Sequence, residues 1–132
     1  MSVSRLLSNR TLPVSHPKLL LGGVVLAAIT GAIHLWLALE AWAEPEEALP
    51  FLLAGVGFFV GIGFVLFAER RRRLLYLLGA AFTAVEIPLW ILGGMEEFTV
   101  GVFDKVVQLL LVAVLLYLWM QSESASATPG GS

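Results

Sequence analysis

Apolar residues fall in four long blocks, about 18–42, 51–68, 74–93 and 100–120, separated by short turns that hold most of the charge. Each block is long enough to cross a hydrocarbon core of about 30 Å as a helix. None carries the polar face that marks a helix of a soluble bundle. Strands are excluded by length, since each block is roughly twice what a barrel strand needs. Helices also satisfy every backbone polar group internally, which a bilayer demands. Short turns force successive helices to run in opposite directions. The expected fold class is therefore an all-α integral membrane protein, an antiparallel four-transmembrane-helix bundle over residues 18–120. Residues 1–17 are polar, carry Pro13 and Pro17, and read as an N-terminal arm. Residues 121–132 are rich in Ser, Ala and Gly and read as a disordered tail.

The turns differ sharply in sign. Glu44-Pro45-Glu46-Glu47-Ala48-Leu49-Pro50 and Gly94-Met95-Glu96-Glu97-Phe98-Thr99 read as acidic turns, whereas Arg70-Arg71-Arg72-Arg73 follows the second block as a tight basic one. Arg5, Arg10 and Lys18 fall on the same side as the arginine block. The positive-inside rule then places both termini and the arginine turn in the cytoplasm and both acidic turns outside, for a multi-pass membrane protein. Trp42 and Trp90 mark the outer boundary; Tyr76, Tyr117 and Trp119 mark the inner one. Arg70, Arg71, Arg72 and Arg73 are expected first as topology determinants and second as contacts for anionic lipid head groups, each worth about 1 kcal/mol near a charged leaflet. Ala41-Trp42-Ala43 mimics a signal-peptidase site, but the apolar run before it far exceeds a signal h-region of about 7–15 residues, so the first block reads as a retained span.

Composition narrows the classes of function. Of 132 residues, 58% are hydrophobic and none is cysteine, which excludes disulfides, thiol redox chemistry and thiolate metal sites. No basic patch with interleaved aromatics appears, so nucleic acid is not an expected partner. Gly23, Ala27 and Gly31 form a small-residue ladder on the first span, and Gly57-Phe58-Phe59-Val60-Gly61 is a GxxxG on the second. Such ladders let helix backbones approach closely, within one bundle or between protomers.

Against this apolar background, Glu86 stands in the middle of the third span, two residues before Pro88. A carboxylate there costs about 2.5–3.5 kcal/mol on insertion scales unless a partner compensates it. With a rise of about 1.5 Å per residue, Glu86 lies about 3 Å outward of its span's midpoint, His34 about 6 Å, and Asp104 and Lys105 about 7–9 Å. These residues share one layer although they come from three spans; Glu40 lies further out, at the rim. Helical spacing adds Gln108 to the face of Asp104, Thr30 to that of His34, and Thr83 to that of Glu86. Pro88 has no N–H for the carbonyl of Ala84, which leaves a further acceptor near the layer.

Two readings of this layer follow. In the first, Lys105 neutralises Glu86 or Asp104 in a buried ion pair that fixes helix register, with His34 bonding the remainder. In the second, the cluster lines an outward-facing cavity for a proton, cation or small polar ligand, with Glu86 as the carrier and His34 as a partner whose imidazole titrates near neutral pH. No two candidate ligands share a recognised metal-motif spacing, so no metal is expected. A bis-histidine haem needs a second membrane-embedded histidine, which only a second copy of His34 supplies; no cofactor is expected.

The basic inner turn, acidic outer turns, Ala/Gly/Val/Leu-rich spans and Ser/Ala/Gly tail together resemble uncharacterised small four-span membrane proteins of halophilic archaea. The resemblance implies a location in a plasma membrane facing strong brine, where an acidic exterior stays hydrated, and transfers no functional residue. The leading expectation is a structural or accessory membrane subunit that self-associates or joins a larger membrane complex, in contact with membrane lipids. The alternative is a small oligomeric transporter or channel-like protein moving protons, cations or a small solute past Glu86 and His34. A membrane enzyme stands last, because no nucleophile–base pair is visible.

Overall fold

A computed structural model describes residues 16–127, and within them the chain is helical throughout, apart from short turns. The helices are α1 (Pro17–Glu40), α2 (Pro45–Phe67), α3 (Arg72–Leu92) and α4 (Phe98–Ala127). All four are long and apolar enough to cross a membrane. Their outer surface agrees with that reading. Phe67 is 75% exposed and Leu92 84%, and large apolar side chains cover every helix, a surface that water does not tolerate on a monomer.

The helices alternate in direction. His16, before α1, lies 5.5 Å from Tyr117 near the end of α4, ring centre to ring centre. Arg73, at the start of α3, sits 5.8 Å over the ring of Trp119 on α4. The two acidic turns meet at the opposite end, where Glu47 lies in the field of Glu44 and Glu96. The bundle therefore has an arginine end and an acidic end, as the charge pattern predicts.

Three boundaries differ from those expected. The first acidic segment is not a free turn: α2 begins at Pro45 and absorbs Glu46, Glu47 and Pro50. Proline suits the first helical position because its missing N–H has no partner there, and acids in the first turn face the positive end of the helix dipole. The C-terminal segment read as disordered from Gln121 continues α4 to Ala127. The arginine block is divided as well. Glu69–Arg71 form a 3₁₀ turn, while Arg72 opens α3 and is buried. Its guanidinium donates to the carbonyls of Val65 (2.7 Å) and Leu66 (3.3 Å) and so satisfies C-terminal groups of α2 that have no partner inside the helix. Arg72 is thus a helix cap, and the head-group role expected of it does not fit. The arm 1–15 lies outside the described residues.

Between α3 and α4 the chain reverses through a Schellman turn. Gly94 N–H donates to Ile91 O (3.2 Å) and Met95 N–H to Trp90 O (3.0 Å). Gly94 takes the left-handed conformation (φ 96°) that this motif requires, and Met95 follows at φ 55°.

In the packing, α1 lies against α2 and α4, and α4 against α3, while α2 and α3 meet only sparingly. A close backbone approach of α1 and α2 uses Gly31 and Gly55. A Cβ on Gly55 lands 2.7 Å from the Leu35 side chain and 3.0 Å from Gly31 O; one on Gly31 lands 2.8 Å from Phe59. Gly23 faces Val114 of α4, and Ala27 lies in the core. The GxxxG behaves differently. Gly57 fits against the edge of Phe82, but Gly61 has open space in front of it. It borders an apolar cleft of about 200 Å³ between α2 and α3. The buried core of Leu20, Tyr76, Ala80, Leu111, Leu115 and Leu118 fills the arginine half of the bundle. Tyr76 is a core residue rather than part of an aromatic belt.

Candidate functional site

The polar residues that the sequence puts at one depth do converge. α1 supplies Thr30 and His34, α3 supplies Glu86, and α4 supplies Asp104, Lys105 and Gln108. Thr30 and Gln108 are fully buried, and Asp104 is 2% exposed.

His34 is the hub. Its Nδ1 donates to the backbone carbonyl of Thr30 (2.7 Å), since a carbonyl oxygen can only accept. That contact fixes the tautomer and turns Nε2 toward two carboxylates, 2.9 Å from Glu86 Oε1 and 3.9 Å from Asp104 Oδ2. Whenever Nε2 and Glu86 are hydrogen-bonded, one proton lies between them. Either the imidazolium donates to a carboxylate, or a carboxylic acid donates to a neutral imidazole. Phe58 and Phe51 flank the ring in tilted arrangements at centroid distances of 5.6 and 6.1 Å and hold it in place.

Asp104 is held from two sides. Thr30 Oγ1 donates to its Oδ1 (2.5 Å), and Lys105 Nζ donates to its Oδ2 (3.0 Å). The lysine therefore pairs with its sequence neighbour and leaves Glu86 to the histidine. Gln108 Nε2 donates to Thr30 Oγ1 (3.2 Å) and Glu86 Oε2 (3.3 Å), tying α4 to both other helices. The amide is oriented by these partners, because exchanging its nitrogen and oxygen sets two oxygens face to face. Gln108 Oε1 is buried and without a hydrogen-bond partner. An orphaned acceptor of this kind costs about 1–3 kcal/mol.

Two expected helpers stand apart. Thr83 turns its hydroxyl back to Gly79 O (2.7 Å) in its own helix and borders the apolar cleft. Pro88 is exposed and lies inside an unbroken α3. No group of three or more His, Asp or Glu side chains suited to a metal occurs among the described residues. With both ring nitrogens engaged, His34 presents no free lone pair to a haem iron.

Above the layer lies a cavity of about 420 Å³, whose floor includes His34, Glu86, Asp104 and Lys105. Its walls reach the acidic end through Glu40, Glu44, Glu47, Glu96 and Glu97. The sequence shows these acids as two separate solvated turns; folding joins them into one funnel above the histidine. Trp90, which the sequence places at the outer boundary, forms part of the wall. Its ring lies against Gly101 so closely that a Cβ there meets the indole at 2.5 Å, and its Nε1 donates to Glu96 O (3.0 Å). Lys105 Nζ lies 5.8 Å over the same ring, so the indole steers the ammonium toward Asp104. A signal for this wall does exist in the sequence: Gly101 and Lys105, both in the cavity lining, are four apart and so share a helical face.

Comparison with curated proteins and with solved structures finds no match to this chain. Residues 8–119 match a family of unknown function, DUF7475, and the chain belongs to that family.

Proposed function

We propose that this protein is a small membrane transporter for protons or small cations, in a form open toward its acidic end. One observation carries the reading: four ionisable side chains from three helices form the floor of a single cavity that opens among the acidic turns. An ion pair that serves only to lock register gains nothing from a water-accessible path, because water weakens it. The excess of carboxylates around the cavity raises the local concentration of cations and disfavours anions. Protonation of His34 brings the layer to two positive and two negative charges, so a proton is exchanged there at little electrostatic cost. The orphaned Gln108 Oε1 adds an acceptor for a donor or cation. Below the layer Thr30, Gln108 and Leu111 are fully buried, and the cleft beyond them is apolar, which favours a carrier with alternating access over an open pore. By the positive-inside rule the vestibule faces outward.

A second reading has its own support. Glu86 with His34 and Asp104 with Lys105 are complete pairs, as a register clasp in an accessory subunit requires. Reconstitution into sealed vesicles with an internal pH dye and a fluorescent potassium indicator separates the two. The transporter gives wild-type flux of protons or cations that Glu86→Gln removes while the protein stays folded. If wild-type vesicles show no flux above protein-free vesicles, the accessory reading stands instead.

A further inference from the structure

The cleft between α2 and α3 has no part in the polar site, and its setting says what fills it. It is lined by Gly57, Gly61 and Val65 on one side and by Leu75, Leu78 and Phe82 on the other. Its wall is almost wholly apolar, and it runs from the arginine end to the middle of the bundle, roughly 12 Å along α3 from Leu75 to Thr83. A Cβ on Gly61 meets nothing within 4 Å, so the groove is open at that point. The turn that joins the two lining helices, Glu69–Arg71, lies about one helical turn beyond the lining residues Val65 and Leu75 and carries Arg70 and Arg71, both exposed. Arg72 is excluded from any external role by its bonds to Val65 and Leu66. A narrow apolar slot with cations at one end matches an amphiphile with an anionic head and an apolar tail.

We propose that one anionic phospholipid docks here, with its head group on Arg70 and Arg71 and the end of one acyl chain in the α2–α3 cleft. Charge complementarity selects the lipid over a second copy of this chain, because like arginine turns would meet across a symmetric α2–α3 interface. The site meets the His34 layer through Phe58, which flanks the imidazole, but shares none of its hydrogen-bonding side chains, so its fate does not depend on the transport reading.

The test is native mass spectrometry of the full chain released from bilayers of equal phosphatidylglycerol and phosphatidylcholine. The expected result is one retained phosphatidylglycerol per chain, with its preference over phosphatidylcholine falling about fivefold for each of Arg70→Gln and Arg71→Gln. Gly61→Leu fills the cleft and abolishes retention. Thermal melting in phosphatidylglycerol against phosphatidylcholine provides an independent measure: the anionic lipid raises the wild-type midpoint and leaves that of Gly61→Leu unchanged. Equal retention of both lipids by the wild type overturns the proposal. So does undiminished retention by Gly61→Leu, or a wild-type dimer that Gly61→Leu converts to monomer.

Discussion

His34 Nε2 lies 2.9 Å from Glu86 Oε1 while its Nδ1 is committed to the Thr30 carbonyl, so one movable proton of this layer is confined to the bond between α1 and α3. The partner nitrogen cannot exchange roles without losing its hydrogen bond. A proton arriving from the vestibule has one place to go. Everything else in the layer keeps that bond in register: Gln108 from below, Asp104 and Lys105 from the side, Phe58 against the ring.

The Asp104–Lys105 pair makes a prediction about stability. Lys105→Met leaves Asp104 buried with Thr30 as its close donor and should cost about 3–5 kcal/mol. Adding Asp104→Asn removes the stranded charge and should restore most of the loss. Thermal or denaturant melting of the two singles and the double gives the coupling directly. Additive losses contradict the pairing.

Helix packing predicts an inversion of the sequence motif. Gly55→Ala forces a Cβ against Leu35 and Gly31 O and lowers the melting midpoint, whereas Gly61→Ala, facing open space, stays within about 0.5 kcal/mol of wild type. Midpoints measured in one detergent decide it. Greater damage at Gly61 than at Gly55 contradicts the assigned interface.

Within the arginine block, one residue should behave unlike its neighbours. Arg72→Gln strands the carbonyls of Val65 and Leu66 and should cost about 1–3 kcal/mol. Arg70→Gln and Arg71→Gln leave the fold intact, with melting midpoints close to wild type.

Sidedness can be tested on a chain without native cysteines. Cysteine at Glu46 should react with an impermeant maleimide added to intact cells, and cysteine at Arg71 should react only after the membrane is opened. Arg71 is the better reporter because Arg72 is buried. The opposite pattern reverses the orientation of the vestibule.

The membership of the layer is readable from sequence because helical rise is nearly constant, so depth follows from counting residues along each span. Partner choice is not, because it depends on how each helix is rotated. Lys105 has Glu86 and Asp104 at similar depth, and only the fold gives the lysine to Asp104 and Glu86 to His34. The glycine spacing has the same limit: it says that Gly57 and Gly61 share a face, but not that the face borders a cleft while Gly31 and Gly55 carry the contact. Hydropathy also places the start of α2 too late, since a helix begun by Pro45 and two glutamates projects past the apolar core before its apolar residues begin. The vestibule was hidden because its acids come from turns that are distant in sequence and each look merely solvated. Arg72 was hidden by its identical neighbours.

The most direct test of the central claim is the ¹⁵N spectrum of the His34 imidazole in sealed vesicles, with His16→Gln leaving a single histidine to observe. Vesicles that carry the acidic end outward are titrated externally over roughly pH 5 to 9, the range in which an imidazole changes charge. The account predicts that Nδ1 keeps its proton throughout, held by the Thr30 carbonyl, while the Nε2 shift follows the external pH and stops doing so when a bulky maleimide is attached at Ala43→Cys in the vestibule wall. Nitrogen shifts that stay constant across the whole range, or a proton lost from Nδ1 instead, would contradict it.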